Sequence, residues 1–239
     1  MMTRYHPSKI NWYNPNVEYI FDYDICEYDM KDAGMSIIVN HKLLDDDTIH
    51  SLMGSSKKER NVAVGKIRGK DKVFSSIFSE KFTEMRQLFI STNSLKDDDI
   101  ICVKNDAIYT IGTCQYTSFN GIEFVLKNSY SSYIRFTENS DIEIFYRNNS
   151  SDVKGINESN INKHRLYIME YINKTISMIE SKNQSVKRHT RLFVDKYKTL
   201  KMDEGYYLEF NNMSQTINPI FNYQKVIIPL VQIIMKEIR

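Results

Sequence analysis

Two aspartates, Asp29 and Asp106, stand where the local sequence pattern would present a carboxylate at the end of a structural element. Asp29 lies between the β-forming run Val17 to Tyr23 and the segment Lys31 to Leu44, which can turn into a short helix before Asp45-Asp46-Asp47. Asp106 belongs to Lys104-Asn105-Asp106, flanked by the apolar runs Ile100 to Val103 and Ala107 to Ile111, the pattern of a tight β-hairpin with a polar tip. Carboxylates are hard oxygen ligands suited to Mg2+ or Mn2+. Two that converge can hold a pair of ions about 4 Å apart, one activating an attacking oxygen and one gripping a polyphosphate, which is the chemistry of phosphoryl transfer. Each aspartate also has an ordinary alternative, as a helix N-cap for Asp29 and a turn residue for Asp106.

Cations and small residues lie between them. Lys57, Lys58, Arg60, Lys66, Arg68, Lys70 and Lys72 make residues 57 to 72 locally basic, and Lys57 and Asn61 would share a helix face one turn apart. A second basic stretch runs from residue 163 to 201; either run can equally be a solvated helix face. Gly65 can terminate a helix or leave room for a ligand, and Lys127 can be an edge-strand charge. His41, His50, His164 and His189 have no metal-ligand spacing, and Cys26, Cys102 and Cys114 form no C-x-x-C pattern, so zinc and a disulfide framework are not indicated. Tyr206-Tyr207 and Glu209-Phe210 read as part of a small C-terminal core, or as a stacking patch for nucleic acid.

The elements that must position these residues are legible in outline. Apolar residues from Val73 to Phe89 recur at helical spacing and predict one long amphipathic helix. Ile122 to Leu126, Tyr133 to Phe136 and Ile142 to Tyr146 read as successive antiparallel strands. Helices are expected over Ile161 to Ile179, Val186 to Tyr197 and Val226 to Ile238, with Pro229 as a kink or start. The chain of 239 residues, 41% hydrophobic with a formal net charge of +2, can bury a sizeable core and is not of disordered composition. No membrane-length apolar run or signal pattern is present, which leads us to expect a protein of the cytosol or nucleoid, in the host cell if the source is viral. Heavy use of Lys, Asn, Ile and Tyr fits an AT-rich genome such as a phage's.

Taken together the motifs resemble those of family B DNA polymerases. Asp29-Met30-Lys31-Asp32-Ala33-Gly34-Met35-Ser36-Ile37-Ile38 is similar to D-x-x-S-L-Y-P-S-I-I, keeping the leading Asp and the trailing Ser-Ile-Ile. Lys57 to Gly65 is similar to K-x-x-x-N-S-x-Y-G, with Lys57, Asn61 and Gly65 at the family's offsets. Lys104-Asn105-Asp106-Ala107 resembles D-T-D-S with its second Asp retained, Lys127-Asn128-Ser129-Tyr130 resembles K-K-x-Y, and Lys154-Gly155 resembles the Lys-Gly that opens the thumb. The matches follow the family's order over roughly residues 17 to 160.

The resemblance implies an α+β fold: a polymerase-type palm with an antiparallel sheet and packed helices over 1–150, abbreviated fingers at about 56–95, and a small helical thumb over 151–239. It implies template-directed nucleotidyl transfer to a primer 3′-hydroxyl, with Asp29 and Asp106 as catalytic ligands of Mg2+ or Mn2+. Lys57, Arg60, Asn61, Gly34 and Gly65 would meet the nucleoside triphosphate, and Lys127, Tyr130 and Lys154 the primer-template. Gly34 replaces the family's sugar-packing Tyr, which opens the way to ribonucleotides. Lys104 replaces the first Asp of D-T-D-S and is expected to lower the pKa of Asp106 or to compete with the metal. The short span between Asp29 and Lys57 leaves little room for fingers, so a second chain could supply what is missing. Two alternatives stay open: a catalytically silent palm serving as a nucleic-acid-binding or assembly subunit, and an unrelated α+β interaction module.

Overall fold

A computed structural model describes residues 11–136, 142–155, 158–199, 201–202, 209–211, 214–216 and 228–235. The fold is α+β with antiparallel strand pairing throughout its described ladders. Two compact units are present, one containing residues 11–17 and 24–129, the other residues 18–23 and the described residues from 130 onward.

In the first unit, β1 (Asn11–Tyr13), β2 (Tyr19–Met30), β3 (Ile100–Lys104) and β4 (Ala107–Ile111) lie in the order β1-β3-β4-β2. Only the Asp24–Met30 part of β2 belongs here. Helices α1 (Ala33–Asn40), α2 (Asp46–Met53), α3 (Lys57–Lys70) and α4 (Lys72–Thr92) form between β2 and β3. Their starts are written locally. The Asp45 carboxylate accepts the Thr48 amide at 2.8 Å, Ser56 and Glu59 form a reciprocal capping box, and Asp71 accepts the amides of Val73 and Phe74 at 2.9 Å. Such caps satisfy amides that the first helical turn leaves without partners. Asp71 both ends α3 and caps α4, so a single residue turns the chain between the two helices.

The core of this unit centres on Phe89, fully buried, whose ring lies 4.6 Å from Phe124, 5.3 Å from Tyr28 and 6.1 Å from Phe119. Phe74, Phe78 and Met85 of α4 and Met35, Ile37 and Ile38 of α1 join the same cluster, which fixes these helices against the strands.

The first unit also holds β5 (Ser118–Phe119) and the Ile122–Ser129 part of β6 (Ile122–Phe136). The second unit contains the rest of β6, then β7 (Ile142–Arg147) and β8 (Ser150–Lys154), paired in sequence. Its core gathers Ile134, Ile144 and Tyr146 with Tyr171, Ile172 and Ile176 of α5 (Glu158–Glu180) and Phe193 of α6 (Val186–Lys198); the Tyr171 and Phe193 rings stack at 3.9 Å. A helical segment spans 228–235. Among the described residues no helix is long and apolar enough to cross a membrane.

Several expected boundaries move. The strand expected over Val17 to Tyr23 runs on to Met30, so Asp29 sits inside the strand. The helix expected within Lys31 to Leu44 covers Ala33–Asn40, and the acidic run begins a separate helix. Ile122 to Leu126 and Tyr133 to Phe136 are parts of one strand, because the polar residues between them are extended and do not form a turn. The division expected near residue 150 falls inside the β7–β8 hairpin, while the chain divides at Ser129 and Tyr130. Residues 226–227 and 236–238 of the last expected helix, and Tyr206-Tyr207, lie outside the described residues.

Because Phe89 is buried among three aromatic rings, Phe89→Ala should lower unfolding free energy by about 3–5 kcal/mol, read as a reduced urea midpoint at unchanged slope. A change below about 1 kcal/mol would mean that the first unit's core lies elsewhere.

Candidate functional site

The pairing of β2 with β4 places Asp29 opposite Ala107, and the next residue, Met30, donates its amide to the Asp106 carbonyl at 3.0 Å. Residues far apart in sequence thus meet at the tip of the β3–β4 hairpin, with Asp106 directly across from Met30. Asn105 makes that tip with φ of 49°, a left-handed conformation that Asn tolerates. Asp29 is not a helix cap. The N-cap of α1 is Asp32, which makes no capping bond and instead accepts from Arg60 at 2.8 Å.

Two carboxylates brought together are electrostatically costly. Burial first, and the neighbouring Asp29 charge second, push the Asp106 carboxyl above the usual range, with Lys127 and Lys57 acting against that rise. Lys127 is therefore more than an edge-strand charge. Its Nζ lies 3.2 Å from Asp29 Oδ2 and 3.9 Å from Glu27 Oε1. The hydrogen bond to Asp29 leads the causes that raise the Lys127 ammonium, with the charges of Glu27 and Asp106 in support.

The expected effect of Lys104 needs correction. The cations that act on Asp106 are Lys127 and Lys57, and the net shift is upward. Lys104 Nζ lies 5.4 Å over the Tyr109 ring and 5.7 Å over the Tyr13 ring, where cation–π attraction holds it.

A cavity of about 420 Å³ opens beside Asp106 in the same unit. Gly34, Asn61, Gly65 and Asp106 line it together, although α1, α3 and the hairpin are widely separated in sequence. Asn61, Val64, Gly65 and Arg68 present one face of α3, and Phe78, Phe82 and Arg86 come from α4. Gly65 lies within α3 and does not end it, and a Cβ added there would meet nothing within 4 Å. At Gly34 an added Cβ would only make ordinary contact with Val64, at 4.0 Å. Neither glycine is demanded by packing, and both leave the cavity open.

Sequence reasoning missed Glu27, Arg68, Arg86 and Asn105. Glu27 alternates with Asp29 on one face of β2, and Arg68 follows Gly65 by a helical step; both were available from periodicity once the elements were known. Arg86 carried no signal, being a cation inside an apolar stripe. It is buried, donates to the Asn105 carbonyl at 3.2 Å and lies 5.3 Å over the Phe82 ring.

Other expected residues are engaged differently. The Arg60 guanidinium bonds Asp32 and the Ser55 carbonyl, both at 2.8 Å, tying α3 to the start of α1. Tyr130 and Lys154 belong to the second unit. Tyr130 is buried with its hydroxyl on Asp152 at 3.2 Å, and Lys154 Nζ lies 4.9 Å over the Phe145 ring. Arg188, Arg191, Lys196 and Lys198 form exposed basic positions on α6.

Among the described residues no group of three or more His, Cys, Asp or Glu side chains is arranged to hold a metal. The Asp29–Asp106 pair nevertheless fits Mg2+, which binds through one or two carboxylates and takes its other ligands from water and substrate phosphates. Their mutual repulsion is the demand that a cation would meet.

Over residues 2–233 the sequence matches the family described as Bacteriophage PBS1 gene 130 protein, and the chain belongs to that family. No curated protein matches it.

The raised Asp106 carboxyl gives a signed stability prediction. A carboxyl whose folded pKa exceeds its unfolded value supports folding below the unfolded pKa and loses that support as pH rises through the folded one. Asp106→Asn should therefore raise the melting temperature at pH 7, with the gain shrinking as pH falls through the raised pKa and gone once pH is below the ordinary aspartate range. A gain that grows on acidification would contradict this placement of Asp106.

Gly65 gives a second prediction. Gly65→Ala should stabilise the protein by about 0.5–1 kcal/mol, as for an unobstructed helix-interior glycine, in a urea titration; destabilisation would mean that the helix needs glycine there.

Proposed function

We propose that this phage-family protein is a minimal palm-like nucleotidyltransferase that extends a primer 3′-hydroxyl on a nucleic-acid template. The observation that carries this reading is the convergence of Asp29 and Asp106 at the tip of the β3–β4 hairpin, beside a cavity that also collects Gly34, Asn61 and Gly65. The polymerase-like motifs, in the family's order, lend independent support.

Asp29 and Asp106 would hold Mg2+ or Mn2+. When bound, such ions supply an activated 3′-oxygen and charge neutralisation on the leaving pyrophosphate. The chain's own residues handle binding and orientation. Arg68 and Arg86 give the cavity wall fixed positive charge for a triphosphate, and Asn61 offers an amide that can both donate and accept. Phe78 and Phe82 support those guanidiniums, with Arg68 4.6 Å over the Phe78 ring and Arg86 5.3 Å over Phe82. Lys57, close enough to act on Asp106, would meet phosphate. Lys127 would face the primer terminus. The open cavity at Gly34 suits a nucleotide bearing a 2′-hydroxyl as well as one without it. The exposed basic positions of α6 suit duplex phosphates, read without regard to sequence.

A second reading is favoured by one specific contact. Lys127 already neutralises Asp29, and Lys104 stands where a further carboxylate would help, which suits a silent palm that binds nucleic acid or assembles with another chain. The short span between Asp29 and Lys57 leaves room in either reading for a partner that supplies more of the fingers.

Extension of a labelled primer-template separates the two readings, with Mg2+ or Mn2+ and with deoxy- or ribonucleotides. Extension in the wild type, abolished by both Asp29→Ala and Asp106→Ala, is the expected result; bound primer-template with no extension under any condition would leave the silent reading.

A further inference from the structure

Glu27 is a buried carboxylate for which the two-aspartate chemistry has no use. Its side chain is 4% exposed, and both of its oxygens are engaged. Tyr109, directly opposite on β4, donates its hydroxyl to Oε1 at 2.8 Å, and Asn128 donates its side-chain amide to Oε2 at 2.7 Å. So held, the carboxylate cannot swing outward to ligate an ion. A desolvated anion is costly unless it keeps a partner. The neighbouring cation is Lys127, whose Nζ stands 3.2 Å from Asp29 and 3.9 Å from Glu27.

We propose that Glu27 is a positioning residue for Lys127: the Tyr109–Glu27–Asn128 clamp is a fixed counter-ion that receives the Lys127 ammonium when a divalent cation takes Asp29. The inference rests on the Asp29–Asp106 pair's being a cation site, as in the preceding subsection. An ammonium and a divalent ion cannot share one carboxylate oxygen without strong repulsion. Lys127 must therefore leave Asp29 for the ion to enter. A side chain that is half exposed can turn about its own bonds, and Glu27 Oε1 lies just beyond its present hydrogen bond. Lys127 thus remains beside the site as an ordered cation, available to a phosphate. Asn128 stands where the resembling motif has a second lysine, and here it anchors Glu27.

The test is Mn2+ binding to the full chain, followed by electron paramagnetic resonance of the free ion without nucleotide or primer. Glu27→Gln keeps the shape and most hydrogen bonds while removing the charge. It should weaken Mn2+ binding about tenfold, the effect typical of losing an outer-shell partner. Lys127→Met, which removes the competing cation, should tighten binding, and the double variant should match Lys127→Met, because Glu27 acts through Lys127. Asn128→Ala, at a half-buried polar residue, should shift affinity in the same direction as Glu27→Gln and serves if that variant does not fold. An equal loss from Glu27→Gln with and without Lys127, or no loss at all, would overturn the proposal. Wild-type Mn2+ binding that Asp106→Asn leaves unchanged would overturn it together with the cation site. The expected pattern in a protein that fails to extend primers would uphold the clamp and remove the polymerase reading alone.

Discussion

The pairing register of β2 with β4 is the constraint on which the rest of the site depends. Asp29 opposite Ala107 puts Asp29 and the hairpin tip side by side, and a slip of one residue would turn Asp29 and Glu27 to the opposite face. The register is secured from both faces. Tyr28 and Met30 are buried in the aromatic core around Phe89, while Glu27 bonds Tyr109 directly across the ladder. Hydrophobic burial thereby determines which residues of β2 are free to carry charge.

The helices serve that same placement. α4 is fixed in the core through Phe74, Phe78, Met85 and Phe89, yet it also turns Phe82 and Arg86 toward the cavity beside Asp106. α3 follows through the shared residue Asp71 and brings Asn61, Gly65 and Arg68 to the same cavity. Its glycine forfeits helix stability that alanine would provide, and the open volume is what is gained. Arg60, bound to Asp32, locks this helix to the start of α1.

Much of this was legible in the sequence because the signals were local. The α4 periodicity, the hairpin around Asn105-Asp106 and the spacing of Lys57, Asn61 and Gly65 each reside within a short window. Boundaries set by distant partners were not legible: β2 extends to Met30 because β4 pairs with it, and β6 runs unbroken through Ser129. The charge relations also escaped. Sequence proximity suggested that Lys104 would act on Asp106, whereas the fold brings Lys127 of β6 and Lys57 of α3 to act on it and sends Lys104 over Tyr109. Tyr130 shows the same limit, since a motif position expected at nucleic acid is buried with Asp152 and Phe145.

The central claim is that Asp29 and Asp106 form one divalent-cation site, guarded by Lys127. Anomalous diffraction from crystals soaked in Mn2+ tests it most directly. The account predicts a manganese peak at coordinating distance from both carboxylates, with the Lys127 ammonium moved off Asp29. Crystals that take up manganese elsewhere, with Lys127 still bonded to Asp29, would contradict it.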